Sequence, residues 1–425
     1  MLPEGSTIAS LIVSTDKTQL TQFSGGRQAY PVYLTLGNIP SSIRRKPSEQ
    51  ACILIAYLPV EKVAKVGRSK PQLSAQYQQL FHAAMTVLFE PIVEAGKVGV
   101  EMTGGDGSVR RVHPILAAYV ADYPEQCLVT CSKYGSCPKC HAGPKNLDDP
   151  QDHPLRDPEH TLNTMRQAAA SCDSHSAYTK ICMEQNVNGN VDAPFWEHLP
   201  YTNIHLSQTP DVLHQLYQGV VKYLLLWCQK MMTAEELDRR IRRLPPGLGL
   251  KHFKNGISAL SQISGSERKN MGKILLACVH SELPKDAVVA VRVILDFIYL
   301  AQYSSHNAHT LKYMDDCLDA WKKHKDVFIT LELRTDFNIP KIHSLRHYVQ
   351  SIRLFGTTNN YNTEMFERLH IEYAKKGWRA SNRRDEYPQM TRWVIRQETV
   401  HAFERFLSYL TRKTGSPHCS TLTIC

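Results

Sequence analysis

Residues 7–15 (Thr-Ile-Ala-Ser-Leu-Ile-Val-Ser-Thr), 29–36 and 51–59 are apolar, β-rich runs separated by polar turn residues, which predicts three sequential strands. A helix is predicted over about 73–92, where Leu80, Ala83, Ala84 and Leu88 recur at helical spacing. Gly-Gly-Asp-Gly at 104–107 then marks a turn, and 115–121 predicts a fourth strand ending in Asp122, as the first strand ends in Asp16. Three strands, a helix and a further strand form an α/β order, in which functional side chains sit at strand ends.

From 132 to 204 the chain is polar and carries Asp-Asp-Pro and Arg-Asp-Pro breaks, which predicts an irregular insertion. From 205 the pattern turns helical. Helices are predicted at 211–232, 233–243, 251–264, 268–282, 284–303 and 308–331, and after Pro340 at 341–354, 361–376 and 385–411. The expected organisation is an α/β core over 1–131, an insertion at 132–204, a helical insertion at 205–339 and a return to the core at 340–425.

The most apolar long stretch, 288–303, contains Arg292 and Asp296 and reads as an amphipathic helix, so no membrane partner is expected. The start of the chain lacks the basic and apolar regions of a secretory signal, and twelve scattered cysteines fit reduced thiols in a nuclear or cytosolic setting. Fifty Lys and Arg against forty Asp and Glu give a net charge of +10, which favours a polyanionic partner. Much of the excess lies in 341–413, with 14 basic against 7 acidic residues. There Lys375, Lys376, Trp378, Arg379, Arg383 and Arg384 combine cations with an aromatic ring, the composition of a surface that grips phosphates and stacks on bases. Arg239, Arg240, Arg242 and Arg243 form a second basic cluster with fewer aromatics.

Two constellations could carry chemistry. Asp16, Asp122 and Glu367, with Glu364 in reserve, are far apart in sequence, yet three carboxylates at two strand ends and on a helix would hold two divalent metals for phosphodiester displacement. Taken singly, an Asp after a strand is an ordinary turn former or helix cap, and a helical Glu an ordinary solvated residue. Cys137-Pro-Lys-Cys140 is a knuckle whose two thiolates can face one tetrahedral zinc. The remaining ligands are sought among His141, Asp211 and His214, or His343 and His347; a redox dithiol is the competing reading. His343 and His347 are one helical turn apart, but Ser344 stands where a zinc protease needs Glu.

The pieces in order resemble the Plavaka-type transposases, relatives of the CACTA and Kyakuja-Dileera-Zisupton groups of cut-and-paste DNA transposons. The resemblance rests on Ser14-Thr-Asp16-Lys-Thr-Gln-Leu-Thr-Gln-Phe-Ser-Gly, Tyr30-Pro-Val-Tyr-Leu-Thr-Leu-Gly-Asn-Ile, Ala121-Asp122-Tyr-Pro-Glu-Gln, Cys137-Pro-Lys-Cys140, Thr209-Pro-Asp211-Val-Leu-His214-Gln-Leu and Tyr361-Asn-Thr-Glu-Met-Phe-Glu367-Arg-Leu-His. It implies an RNase H-like catalytic core, a mixed sheet flanked by helices, interrupted by a zinc-knuckle-containing and helical insertion. It also implies metal-dependent DNA cleavage and strand transfer by a DDE triad, with Asp16 on strand one, Asp122 on strand four and Glu367 on a late helix, holding Mg2+ or Mn2+. Asp211-Val-Leu-His214 matches the family's acid or cysteine, two residues, then histidine element, and is expected to support the site or to share a structural Zn2+ with Cys137 and Cys140. The 245 residues between Asp122 and Glu367 accommodate the helical insertion. DNA at transposon ends and target, a second copy of the chain and a nuclear location complete the expectation. Full-length relatives carry a long N-terminal region, whereas this sequence begins fifteen residues before Asp16, so an N-terminally truncated copy is expected. The competing functions are an inactive remnant that binds DNA in the nucleus and, more distantly, a zinc hydrolase using Cys137, Cys140 and His214.

Overall fold

The computed structural model describes residues 2–21, 26–60, 67 and 69–414. The three opening strands form as the sequence predicts: β1 (Thr7–Thr15), β2 (Pro31–Leu36) and β3 (Cys52–Tyr57) make an antiparallel meander. The chain then passes through α1 (Lys70–Val98), which Ser69 opens with a reciprocal cap to Gln72 and which stops at Gly99, where φ is 79°. Next come β4 (Val100–Thr103) and β5 (Val109–Val120), joined by the Gly104–Gly107 turn. β5 lies parallel to β1 and carries β4 on its outer side, so the mixed sheet has the order 3-2-1-5-4.

β4 escapes the sequence pattern because all four of its residues are exposed, leaving no buried side to create an alternation. As a result Asp122 follows the fifth strand of this sheet in chain order, not the fourth as expected.

Residues 11–15 of β1 are buried without interruption because the sheet is covered on both faces. Val13, with Leu116 of β5, packs against Phe81, Met85 and Phe89, which recur every fourth residue along one side of α1. Ile12, with Ala118 and Val120, packs against Tyr361, Phe366 and Tyr373 from the C-terminal part of the chain. The period of two along each strand therefore assigns Ile12, Ser14 and Asp16 to the face under these late residues. Register does the rest. Ser14 of β1 stands beside Val120 of β5, so that Asp16 and Asp122 leave the sheet together, each two residues further on.

Two stretches differ from the pattern-based reading. The polar segment 132–204 is not irregular throughout: after α2 (Tyr123–Val129) it contains α3 (Pro158–Ser171) and α4 (His175–Glu184), capped by Asp157 and Ser174. Conversely, 251–264 forms no helix. The carboxylate of the buried Asp238 accepts the backbone N–H groups of Ile257 and Ser258 at 2.7 and 3.1 Å, which ties this stretch down as a loop, and Gly256 has φ 79°.

Elsewhere the helical prediction holds. A wide-turned π segment, Val212–Val221, runs into α5 (Lys222–Met232), followed by α6 (Ala234–Arg243), α7 (Gly265–Val279), α8 (Lys285–Leu300) and α9 (Ala308–His324). These share one apolar core around Trp227, Phe297, Trp321 and Phe328, which also takes in Tyr348 of α10 (Tyr348–Phe355). The chain then returns to the sheet through α11 (Thr363–Leu369), the π segment His370–Lys375, α12 (Lys376–Ala380) and α13 (Glu386–Thr414). Among the described residues no helix is long and apolar enough to cross a membrane.

Candidate functional site

At the shared end of β1 and β5 a narrow cleft is lined by Asp16, Asp122, His214 and Glu367, with Ser14, Thr15 and Thr363. Residues that are 106 and 245 positions apart in the chain thus converge. Asp122 serves also as the cap of α2, its Oδ1 accepting the Glu125 N–H at 3.0 Å. Asp16 meets His370, whose Nε2 is 3.3 Å from Asp16 Oδ2 and whose Nδ1 is 3.0 Å from the Tyr33 hydroxyl. Glu367 reaches the cleft from α11, whereas Glu364, one turn earlier, exchanges hydrogen bonds with Asn362 and is not among the lining residues.

The fully buried Asp211 organises the fourth side. Its Oδ1 accepts from the His214 N–H and from Thr363 Oγ1 at 2.7 Å, and its Oδ2 lies 2.7 Å from His214 Nδ1. That fixes the ring so that Nε2 stands 3.2 Å from Glu367 Oε1. Burial alone would lower the His214 pKa, but Asp211 and Glu367 outweigh it and raise it to about 9. Asp122 and Glu367 are both raised, first by burial and then by the other acids of the cleft, Asp16 prominent among them. The cleft thus gathers the carboxyl groups of Asp16, Asp122 and Glu367 beside the His214 imidazole.

Two participants were not singled out in the sequence. Glu125 accepts from Thr15 Oγ1 at 2.5 Å and from the Tyr30 hydroxyl, and burial raises it to about 7. His370 completes the string Glu367-Arg-Leu-His370, whose i, i+3 spacing on one helical face was the available signal.

The second constellation lies apart from the cleft. Cys137, Cys140, His343 and His347 bring one ligand atom each to within 4.8 Å of one another. Cys137 Sγ is 3.2 Å from His347 Nε2, and Cys140 Sγ is 3.2 Å from His343 Nε2. Around a tetrahedral zinc with ordinary bond lengths a sulfur and a nitrogen stand about 3.6 Å apart, so the donor set and its spacing fit that ion. Further contacts aim the ligands: His343 Nδ1 is held 2.8 Å from the Leu147 carbonyl, and Arg156 Nε donates to the carbonyls of Cys137 and Cys140. The Cys137 thiol is pulled well below its usual pKa, because Cys140 and the two imidazoles favour its thiolate against the opposing effect of burial.

The expectation that His214, or Asp211 with it, completes the cysteine pair is therefore corrected. Both ring nitrogens of His214 are engaged by carboxylates of the acid cleft, while His343 and His347 occupy the positions beside the two sulfurs.

In the basic C-terminal region Arg379, Arg383 and Arg384 are exposed, Lys375 is half-buried, and Lys376 bonds Glu372 at 2.5 Å. Trp378 is not a surface ring as expected; it is 7% exposed, and its neighbour Gly377 lies against Met390 and Trp393 of α13. An indole so little exposed cannot stack on a base. In the second basic cluster, Arg239 and Arg240 are spent on Glu236, and Arg240 also on Glu282.

A mixed sheet flanked by helices, with acids gathered where two parallel strands end, defines an α/β protein with a carboxylate-lined cleft. The family model described as Plavaka transposase matches residues 1–228, more than half of the 425, and the chain belongs to that family. No curated protein matches it. The matched stretch includes Asp16, Asp122, Cys137, Cys140, Asp211 and His214; Glu367, His343 and His347 lie beyond it.

Proposed function

We propose that this chain is a DDE-type transposase catalytic region that cleaves and joins DNA strands, with Asp16, Asp122 and Glu367 as its acids. The observation that carries the reading is the convergence of these three carboxyl groups on one cleft at the ends of parallel neighbouring strands. The meander followed by a helix and a strand parallel to β1 supports an RNase H-like core, and the separate apolar core of α5 to α9 supports a helical insertion between Asp122 and Glu367. In this reading the core spans 1–131 and 340–425, and the insertion spans 132–204 and 205–339.

The oxygen-rich donor set suits Mg2+ or Mn2+, which when bound at Asp16, Asp122 and Glu367 supply the charge that stabilises attacking and leaving oxygens in an in-line displacement. Burial first, and then the neighbouring acids, raise Asp122 and Glu367, and a divalent cation held between them would favour their ionised forms. The residues around them have positioning roles. Asp211 orients His214 toward Glu367, His370 orients Asp16 from the opposite side, and Asp122 is fixed by capping α2.

Cys137, Cys140, His343 and His347 are proposed to hold a structural Zn2+, closed to substrate because both thiolates and His343 are almost wholly buried. DNA is the proposed partner, gripped through exposed arginines such as Arg379, Arg383 and Arg384, and the nucleus is the proposed location.

The test is strand transfer from a labelled oligonucleotide duplex in Mg2+ or Mn2+. Asp16→Asn and Asp122→Asn are each expected to abolish product while DNA binding persists. Retained transfer in both variants would sink the assignment, and DNA binding with no metal-dependent cleavage in the parent chain would establish the inactive DNA-binding remnant instead.

A further inference from the structure

A second cleft, of about 330 Å³, opens on the same face of the sheet toward the opposite end of the strands. Its floor is Ile12 and Ala118, which precede Asp16 and Asp122 by four residues, or about 13 Å along a strand. Phe366 and Leu369 of α11 pack on that face around Ile12, Ala118 and Val120, so this cleft is a separate site from the acid cleft.

Its lining has an unusual charge. Among the lining residues there is no Asp or Glu, and the sole charged side chain is Arg44. Arg44 is 4% exposed, and among the described residues it forms no ion pair. Its guanidinium donates to the Ile39 carbonyl at 2.8 Å and the Asn360 carbonyl at 2.8 Å, with a longer contact to Asn360 Oδ1, which leaves two of its five N–H groups unspent. Tyr361, 1% exposed, lines the same cleft, and its hydroxyl has no hydrogen-bond partner. Ser10 and Ser41 add hydroxyls at the wall, and Phe355 adds an aromatic surface. A buried cation without an acid and a buried hydroxyl without a partner are each costly, and each is relieved by the same kind of ligand. That ligand carries an oxyanion rich in acceptor oxygens beside a flat ring, and the volume suits a small molecule of nucleotide size.

We propose that this cleft binds the phosphate of a single nucleotide, with Arg44 as the principal phosphate ligand, Tyr361 and Ser41 as supporting donors, and the ring against Phe355 and Ile12. The choice of a nucleotide among phosphate esters rests on the reading of the chain as a DNA-acting protein; the anion site itself rests on Arg44 and Tyr361. Bound there, the nucleotide braces Asn360 and Tyr361, the residues that lead into α11 and its Glu367.

The experiment is calorimetric titration of the full chain with dTMP, in EDTA so that the acid cleft cannot hold phosphate through metals. dTMP is expected to bind below about 1 mM, with thymidine and inorganic phosphate at least tenfold weaker. Arg44→Met is expected to weaken dTMP at least tenfold. Because Arg44 also ties Ile39 to Asn360 and its loss could unfold the chain, Ser41→Trp, at the half-buried rim, provides a second block with an unchanged melting curve. Asp122→Asn is expected to bind dTMP as the parent does, which separates this site from the catalytic reading. No binding by the parent, or equal binding by both Arg44→Met and Ser41→Trp, overturns the proposal, as does loss of binding in Asp122→Asn. Competition by a 5′-phosphorylated oligonucleotide identifies the source of the phosphate as a DNA end, and its failure to compete identifies a free nucleotide, while the assignment to Arg44 stands or falls with Arg44→Met.

Discussion

The acid cleft and the cysteine–histidine cluster are both built by bringing together residues more than 200 positions apart, and they solve opposite problems. In the cleft, Asp16 and Glu367 keep 43% and 38% of their side-chain surface open, and like charges face one another with imidazoles wedged between. In the cluster, Cys137 and Cys140 are 2% and 1% exposed, and every ligand has a companion at hydrogen-bond distance. An open set of oxygen donors can admit a phosphate; a sealed set of sulfur and nitrogen donors can only join chain segments. The difference teaches where each substitution should be felt: stability for the sealed site, turnover for the open one.

The strongest way to break that division is at the cluster. Cys137→Ser or His347→Ala is expected to release zinc and to lower unfolding free energy by about 4 kcal/mol or more, read by metal analysis and by chemical denaturation. Retained zinc and an unchanged midpoint would show that the four residues do not form a metal staple. At the cleft, Glu367→Gln is expected to slow strand transfer about 10³-fold, or ~4 kcal/mol of barrier, with little change in melting, while Glu364→Gln stays within about threefold of the parent. If the two glutamates exchange these effects, the third acid has been misassigned.

Much of this was legible in the chain, for reasons specific to each residue. The apolar, β-rich run of residues 7–15 announces a strand, and a strand that ends in Asp announces where that Asp points; hence Asp16 and Asp122 could be named. Cys137 and Cys140 were legible because their spacing is itself the geometry of a knuckle. Their partners were not. An Asp-x-x-His string and a His-x-x-x-His string are equally good local candidates, and the choice depends on packing across about 200 residues, which put Asp211 and Thr363 around His214 and left His343 and His347 for the sulfurs. Trp378 misled because an aromatic among cations reads as a binding surface until its burial is seen. The 251–264 loop misled because the backbone donors that would have made a helix are drawn toward Asp238.

A smaller effect sharpens the comparison through pH. His214 has its pKa raised from 6.5 to about 9 in the folded chain, so it binds a proton more tightly folded than unfolded. Its contribution is fully present below about pH 6.5 and is lost as pH rises through about 9, by at most about 3 kcal/mol. Denaturation in EDTA between pH 6.5 and 9.5 is expected to show this decline in the parent and not in His214→Gln. A decline of the same size in His214→Gln would move the cause away from the cleft.

The smallest effect concerns the surface that would bring DNA to the cleft. Arg383 and Arg384 are exposed, with no acid paired to them among the described residues, so each is free to meet a phosphate. Arg383→Ala and Arg384→Ala are each expected to weaken duplex binding two- to fivefold, and to lower by about 1 the slope of log affinity against log salt. Trp378→Phe is expected to leave both quantities unchanged while lowering the melting temperature, since the indole is almost wholly buried. A lost salt slope in Trp378→Phe, or none in the arginine variants, would transfer the DNA contact from the exposed loop before α13 to another face. The proposed division between an open site that works on DNA and a sealed site that holds the chain together would then need a new account of how the substrate arrives.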